Sequence, residues 1–241
     1  MRNVVRMKLT IIHYTILVLV FVVLFVVKAR KTQTESDRQT SQSPRGRQTP
    51  AAIDSTPDDP TPFGYKCMWF AVKTTNAEEV VKALGLKSSQ RCNWKSGIAA
   101  AYEESVFVAP PINGWTLVVG RSLPTPEDDS RRKETDALLE KLSQKFGEAQ
   151  HFGTHRVSDY HAWARAIEGK ITREYAYVAG EDLLCNIGKL TDEERAVGAF
   201  DSPEFFTNES HVMQVAGKWS LDPTKLSSTT GEKGVGWLGT L

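Results

Sequence analysis

Apolar residues are spread very unevenly along this chain. Between Leu9 and Val27 the sequence reads LTIIHYTILVLVFVVLFVV, with no Asp, Glu, Lys or Arg. A helix over residues 9–27, rising about 1.5 Å per residue, spans roughly 28 Å, close to the thickness of a bilayer core. It is apolar on every face, which does not suit a helix packed on one side of a core. The run ends directly in Lys28-Ala29-Arg30-Lys31 with no small-residue cleavage site, so it predicts an uncleaved signal anchor behind a basic tail of residues 1–8. His13 and Tyr14 fall in the first third of the span, where amphipathic rings sit near headgroups, and take no proton-relay role.

The pattern then loses its apolar component. Residues 28–62 are rich in Thr, Ser, Gln, Pro and Asp, too polar to offset the entropy of ordering, and read as a disordered linker. Treated as a flexible coil, it holds the domain beyond it on the order of 30 Å from the membrane. Basic residues flank both ends of the apolar run, Arg2, Arg6 and Lys8 before it and Lys28, Arg30 and Lys31 after it. A short basic N-terminus ahead of a single anchor stays inside, which places the domain outside the cytoplasm.

From residue 63 to 241 short periodic segments alternate. CMWFAVK (67–73) suits a strand, and NAEEVVKALG (76–85) a helix with Asn at its N-cap and a terminal Gly. GIAAAYEE (97–104) and VFVAPPINGWTLVVG (106–120) read as short strands joined by turns at Pro110-Pro111 and Asn113-Gly114. RRKETDALLEKLSQKFG (131–147) carries Leu138, Leu139, Leu142 and Phe146 on one helical stripe. Three strands follow in a meander, with tight turns at Ser158-Asp159 and Glu168-Gly169; two short helices capped by Thr191 and Ser202 come next, and STTGEKGVGWLGTL reads as terminal loop. The order predicts an α+β domain over 63–241 with helices packed on a mostly antiparallel sheet.

Composition changes this picture little. The chain is 40% hydrophobic and 24% charged, ordinary for a globular protein, and its formal charge of +1 leaves no electrostatic footprint for nucleic acid. Cys67, Cys92 and Cys185 are widely spaced with no CxxC, which excludes a disulfide scaffold but leaves open one bridge or three thiols. The glycosylation sequon Asn208-Glu209-Ser210 matters only in a eukaryotic secretory route. GxSxG, GxxxxGK[ST], HExxH and EF-hand signatures are absent from the sequence. No cofactor or metal is implied.

One stretch concentrates chemistry. HFGTHRVSDYHAW (151–163) holds three of the five histidines, and His151, His155, Asp159 and His161 are the candidate catalytic residues. Two histidines four apart serve one ion on a helix, but in a strand the same rings stand roughly 13 Å apart. A two-residue turn at 158–159 pairs Arg156 with His161 and puts His161 on the face opposite His155, whereas a longer turn changes the register. Along the meander Arg173, Tyr175 and Tyr177 share one face, as do Trp163 and Arg165; with Arg156 these are candidate binding residues. The competing account packs Tyr and Trp under helices with Arg stems at the rim. The leading functional expectation is a single-pass membrane-anchored domain that binds a protein or peptide partner. The alternatives are a membrane-anchored hydrolase or metal-dependent enzyme using the histidine cluster, and a purely structural membrane protein.

Overall fold

The computed structural model describes residues 53–178, 183–198 and 207–241. The apolar run at 9–27, the linker up to residue 52 and the expected cap Ser202 lie outside the described residues. Among the described residues, no helix is long and apolar enough to cross a membrane.

The elements in chain order are β1 (Cys67–Val72), α1 (Ala77–Leu84), β2 (Lys87–Asn93), α2 (Trp94–Ala101), β3 (Val106–Val108), β4 (Thr116–Val119) and α3 (Asp129–Phe146). There follow β5 (Glu148–His155), β6 (Tyr160–Ile167), β7 (Lys170–Val178), β8 (Cys185–Ile187), α4 (Asp192–Arg195), α5 (Glu209–Trp219), a 3₁₀ turn (Pro223–Lys225) and β9 (Val235–Thr240). The strands form one nine-stranded sheet in the order β2-β9-β3-β4-β1-β5-β6-β7-β8. Every pairing between them is antiparallel, so the expected α+β architecture is the one observed.

β1 lies at the centre and is buried at all six positions, which is why CMWFAV shows no polar alternation: helices cover both of its faces. On one side Trp69, Phe152, Trp163 and Tyr175 pack against α2 and α5. On the other, Phe70, Val118, Ala149 and Ala164 pack against Val80 and Val81 of α1 and Leu139 and Leu142 of α3. Each fully buried large side chain contributes about 1.5–3 kcal/mol, so this doubly covered centre anchors the fold. The expected caps hold where they are described: Asn76 Oδ1 accepts from Glu79 N at 3.1 Å, and Gly85 closes α1 in the left-handed conformation at φ 71°. The Cys67, Cys92 and Cys185 thiols are separate and buried; burial pushes them up to about 12, 11 and 12 respectively, so they stay protonated at neutral pH.

Several elements differ from expectation. Residues 97–104 are not strand but lie mostly in α2, because Asn93 caps it and Trp94, Ile98 and Ala101 recur at helical spacing on the buried side. The terminal Gly-rich stretch is not loop throughout: β9 inserts between β2 and β3. Its glycines answer a packing need, since a Cβ at Gly236 would lie 2.3 Å from the Val108 carbonyl oxygen. β2 escapes hydrophobic pattern analysis because five of its seven residues are exposed at the sheet edge. Residues 53–62, polar enough to read as linker, lie along the domain. Asn93 N donates to Asp54 O at 2.8 Å, and the Asp58 carboxylate accepts from Trp94 N and Lys95 N at 2.7 and 3.0 Å, capping α2.

Candidate functional site

The connection between β5 and β6 decides where the candidate residues go. Its turn spans the four residues 156–159, not two, and the pairs are His155 with Tyr160, Thr154 with His161, and Phe152 with Trp163. Asp159 makes the reversal in the left-handed region at φ 47°, which Asp tolerates better than most side chains. Its carboxylate meets His161 Nε2 at 2.9 Å, while His161 Nδ1 meets Thr154 Oγ1 at 3.2 Å. The ring is 1% exposed. Arg156, from the same turn, donates through Nε and Nη2 to Glu209 Oε2 at 3.0 and 2.7 Å, and its guanidinium stands 5.8 Å from the centre of the Tyr65 ring. This pair ties the turn to the first residue of α5.

α5 begins with a reciprocal cap. Asn208 Oδ1 accepts from His211 N, and His211 Nδ1 accepts from Asn208 N, each at 3.2 Å. An accepting Nδ1 is unprotonated, in keeping with burial, then the neighbouring His161, lowering the His211 pKa. Tyr65, Arg156, Asp159, His161, Asn208, Glu209 and Ser210 line a cavity of about 430 Å³ between turn and helix. A second cavity of about 440 Å³ at the far end of α5 has Met213 and Leu226 among its lining.

Of the four candidate catalytic residues, then, the structure joins Asp159 and His161 and separates the other two. His151 and His155 face the opposite side of the sheet, because His155 pairs with Tyr160 and His161 is the next residue along. His151 is wholly buried edge-on to Phe70, with ring centres 4.9 Å apart, and burial pushes its pKa down to about 3. His155 Nδ1 meets Ser158 Oγ at 3.1 Å within the turn. Among the described residues no three metal-ligating side chains converge.

The aromatic and arginine row does share one face, through the pairs His161 with Tyr177, Trp163 with Tyr175, and Arg165 with Arg173. It is not a free recognition surface. Trp163 and Tyr175 stack at 4.6 Å and are buried. Glu194, brought in by the four-residue α4, accepts from Trp163 Nε1 at 2.7 Å and from Arg173 Nε at 2.8 and 3.0 Å. Arg173 Nη1 donates further to Glu174 O, Asn186 Oδ1 and Ile187 O. Trp163, Arg173 and Tyr175 are therefore core residues, a correction with a simple cause: period-two alternation reports which residues share a face, not what covers it. Arg165, held by Glu148 Oε1 at 2.7 Å, and Tyr177 are half-buried, and Arg156 alone of the candidate binding residues is exposed.

Tyr65, Glu194 and Glu209 went unseen in the sequence. Thr191-Asp192-Glu193-Glu194 carried a legible signal, a capping box, and Glu194 Oε2 does accept from Thr191 N at 2.8 Å; its reach across to Arg173 needed the fold. In comparisons with family models, curated proteins and solved structures, nothing matches this chain.

Proposed function

We propose that the chain is a membrane-tethered binding domain, outside the cytoplasm, that takes a protein or peptide partner at the cavity between the β5–β6 turn and the start of α5. The apolar run at 9–27 and the polar stretch after it support the tether. One observation carries the choice of site: the cavity's interior groups are already bonded to one another, Arg156 to Glu209 and His161 to Asp159 and Thr154. Such groups form a preorganised wall and not a reactive centre. The rim offers Asn208, Ser210 and Tyr65 with Val157 at the turn tip, which is 80% exposed. An aromatic ring, an arginine and an exposed apolar residue are the side-chain types that carry energy in interfaces.

The test is a peptide-display selection against the full chain in lipid nanodiscs, repeated with Tyr65→Ala and Arg156→Ala. Saturable binders that weaken roughly tenfold or more in both variants support the site. Binders indifferent to both changes overturn it.

The hydrolase alternative rests on the 2.9 Å contact between His161 and Asp159, an orienting arrangement seen in general-base catalysis. It requires Thr154 to release the second ring nitrogen. Turnover of an ester or amide that is lost in His161→Ala would replace the binding reading.

A further inference from the structure

Arg132 and Asp136 of α3 meet Glu174 of β7 and Cys185 of β8 on the face of the sheet away from the cavity. Glu174 is 1% exposed, yet neither carboxylate oxygen has a hydrogen-bond partner among the described residues. Its ion pair with Arg132 Nη1 is 3.7 Å long, beyond hydrogen-bond reach. Asp136 Oδ1 and Arg132 Nε are likewise buried without such partners. Four such atoms in one place call for a reason, since a buried polar atom left unpaired costs more than a made hydrogen bond returns. Three of the four are acceptor oxygens, so beyond the Cys185 thiol, which also faces Glu174, the component in short supply is a donor.

A proton on Asp136 is that donor. Burial, followed by the charge of Glu174, pushes Asp136 up to about 6 from an ordinary 3.8. Three other groups facing the cluster, Tyr160, Cys185 and His151, keep one state across the neutral range. Tyr160 of β6, with its hydroxyl accepting from Thr125 Oγ1 at 2.5 Å, is driven well above its ordinary value by burial. Burial holds Cys185 protonated and His151 of β5 neutral, the latter two strands away in the same row as Ala164 and Glu174. Glu140 of α3 and Glu127 ahead of it are exposed carboxylates whose charge disfavours ionisation of Asp136 and Tyr160 respectively.

We infer that Asp136 is a proton-controlled latch for the edge strand β8 and the first half of α3. Protonated, it leaves one carboxylate to one guanidinium and the elements close on β7. Ionised, it sets two carboxylates against Arg132 alone, and β8 loosens. β8 is suited to such release, being three residues long and, among the described residues, paired on one side only, through Ala176 with Cys185, Tyr175 with Asn186 and Glu174 with Ile187. This device is independent of the cavity and of what binds there.

Hydrogen exchange of the full chain in nanodiscs, corrected for intrinsic rates, tests it. A shift of about two units permits up to roughly a hundredfold change; partial exposure of Asp136 reduces the expectation to about a tenfold loss of protection at 185–187 between about pH 5 and pH 8. Asp136→Asn keeps a donor and carries no charge, so its protection is expected to stay flat. A flat wild-type profile, or the wild-type slope persisting in Asp136→Asn, overturns the latch. Should that variant fail to fold, infrared titration of the wild type decides alone: a buried protonated-carboxyl band must vanish through about pH 6, and its absence refutes the proposal.

Discussion

Arg173 and Glu174 are neighbours on β7 that point to opposite faces of the sheet, and each meets a buried opposite charge. Arg173 engages Glu194 at 2.8 and 3.0 Å, and the carboxylate is completed by Trp163 Nε1 and Thr191 N. Glu174 faces Arg132 at 3.7 Å, and neither of its oxygens has a hydrogen-bond partner among the described residues. The Coulomb attraction is similar in kind; the hydrogen bonds differ. A buried ion pair repays its desolvation only when the remaining donors and acceptors are also met. The α4 side supplies them from a capped turn and an indole, whereas the α3 side presents a row of alanines (Ala162, Ala164 and Ala166) that make room for a helix but offer no donor.

The sharpest way to break the comparison is to remove each carboxylate. Glu194→Gln takes the counter-charge from a buried arginine and is expected to cost about 3–5 kcal/mol in chemical denaturation. Glu174→Gln is expected to cost no more than about 1 kcal/mol, because Arg132 is partly exposed and reaches water. Equal losses would show that hydrogen-bond completion does not separate the pairs.

A pH series sharpens it next. His151 is neutral when folded and ordinary, at 6.5, when unfolded; with its folded value down to about 3, the stability it contributes is full above about pH 6.5 and is lost as pH falls toward 3. Asp136 acts in the opposite sense, since its folded value is raised from 3.8 to about 6, so its contribution is full below about pH 4 and lost as pH rises through 6. The two slopes offset each other between about pH 4 and 6. His151→Leu removes one and exposes a decline with rising pH, on the order of 1–2 kcal/mol, readable as a falling urea midpoint. An unchanged slope in that variant would rule out the account.

The smallest effect belongs to the third Arg–Glu pair. Arg156 and Glu209 have side chains 65% and 16% exposed, and water screens what they gain. Arg156→Ala is expected to leave the thermal midpoint almost unchanged while weakening partner binding. A large stability loss with binding intact would make this pair structural instead.

How much of this was legible depends on range. α1 and α3 could be located from apolar spacing and caps within a few residues of where they lie, since their stop signals are local: Asn76, Gly85 and the Leu139–Leu142 stripe act over one or two turns. β2 and β9 were not, because one is polar at an exposed edge and the other is held by backbone contacts that require glycine. At the site, composition singled out Asp159 and His161, but Glu209 and Tyr65 come from 50 and 94 positions away along the chain (209 − 159 and 159 − 65). No periodic pattern joins residues at such separations.

The sequence alone determined α1, α3, the three-strand meander, the α+β class and the sharing of a face by Arg173, Tyr175 and Tyr177 on one strand and by Trp163 and Arg165 on the one before it, since those come from periods of 2 and 3.6 residues. It also carried the apolar run and the polar tract that suggest a tether. The tertiary structure decided what lies over each face, and with it which arginines are core and which are surface. The four-residue turn, where two were expected, changed the partner of His161 from Arg156 to Thr154; because that is a two-residue step, His161 stays on the face opposite His155 as expected, and the start of α5 lying over that face is what makes the cavity there. Faces are local properties of a strand, but covers and partners are brought by elements distant in the chain, and only packing selects them.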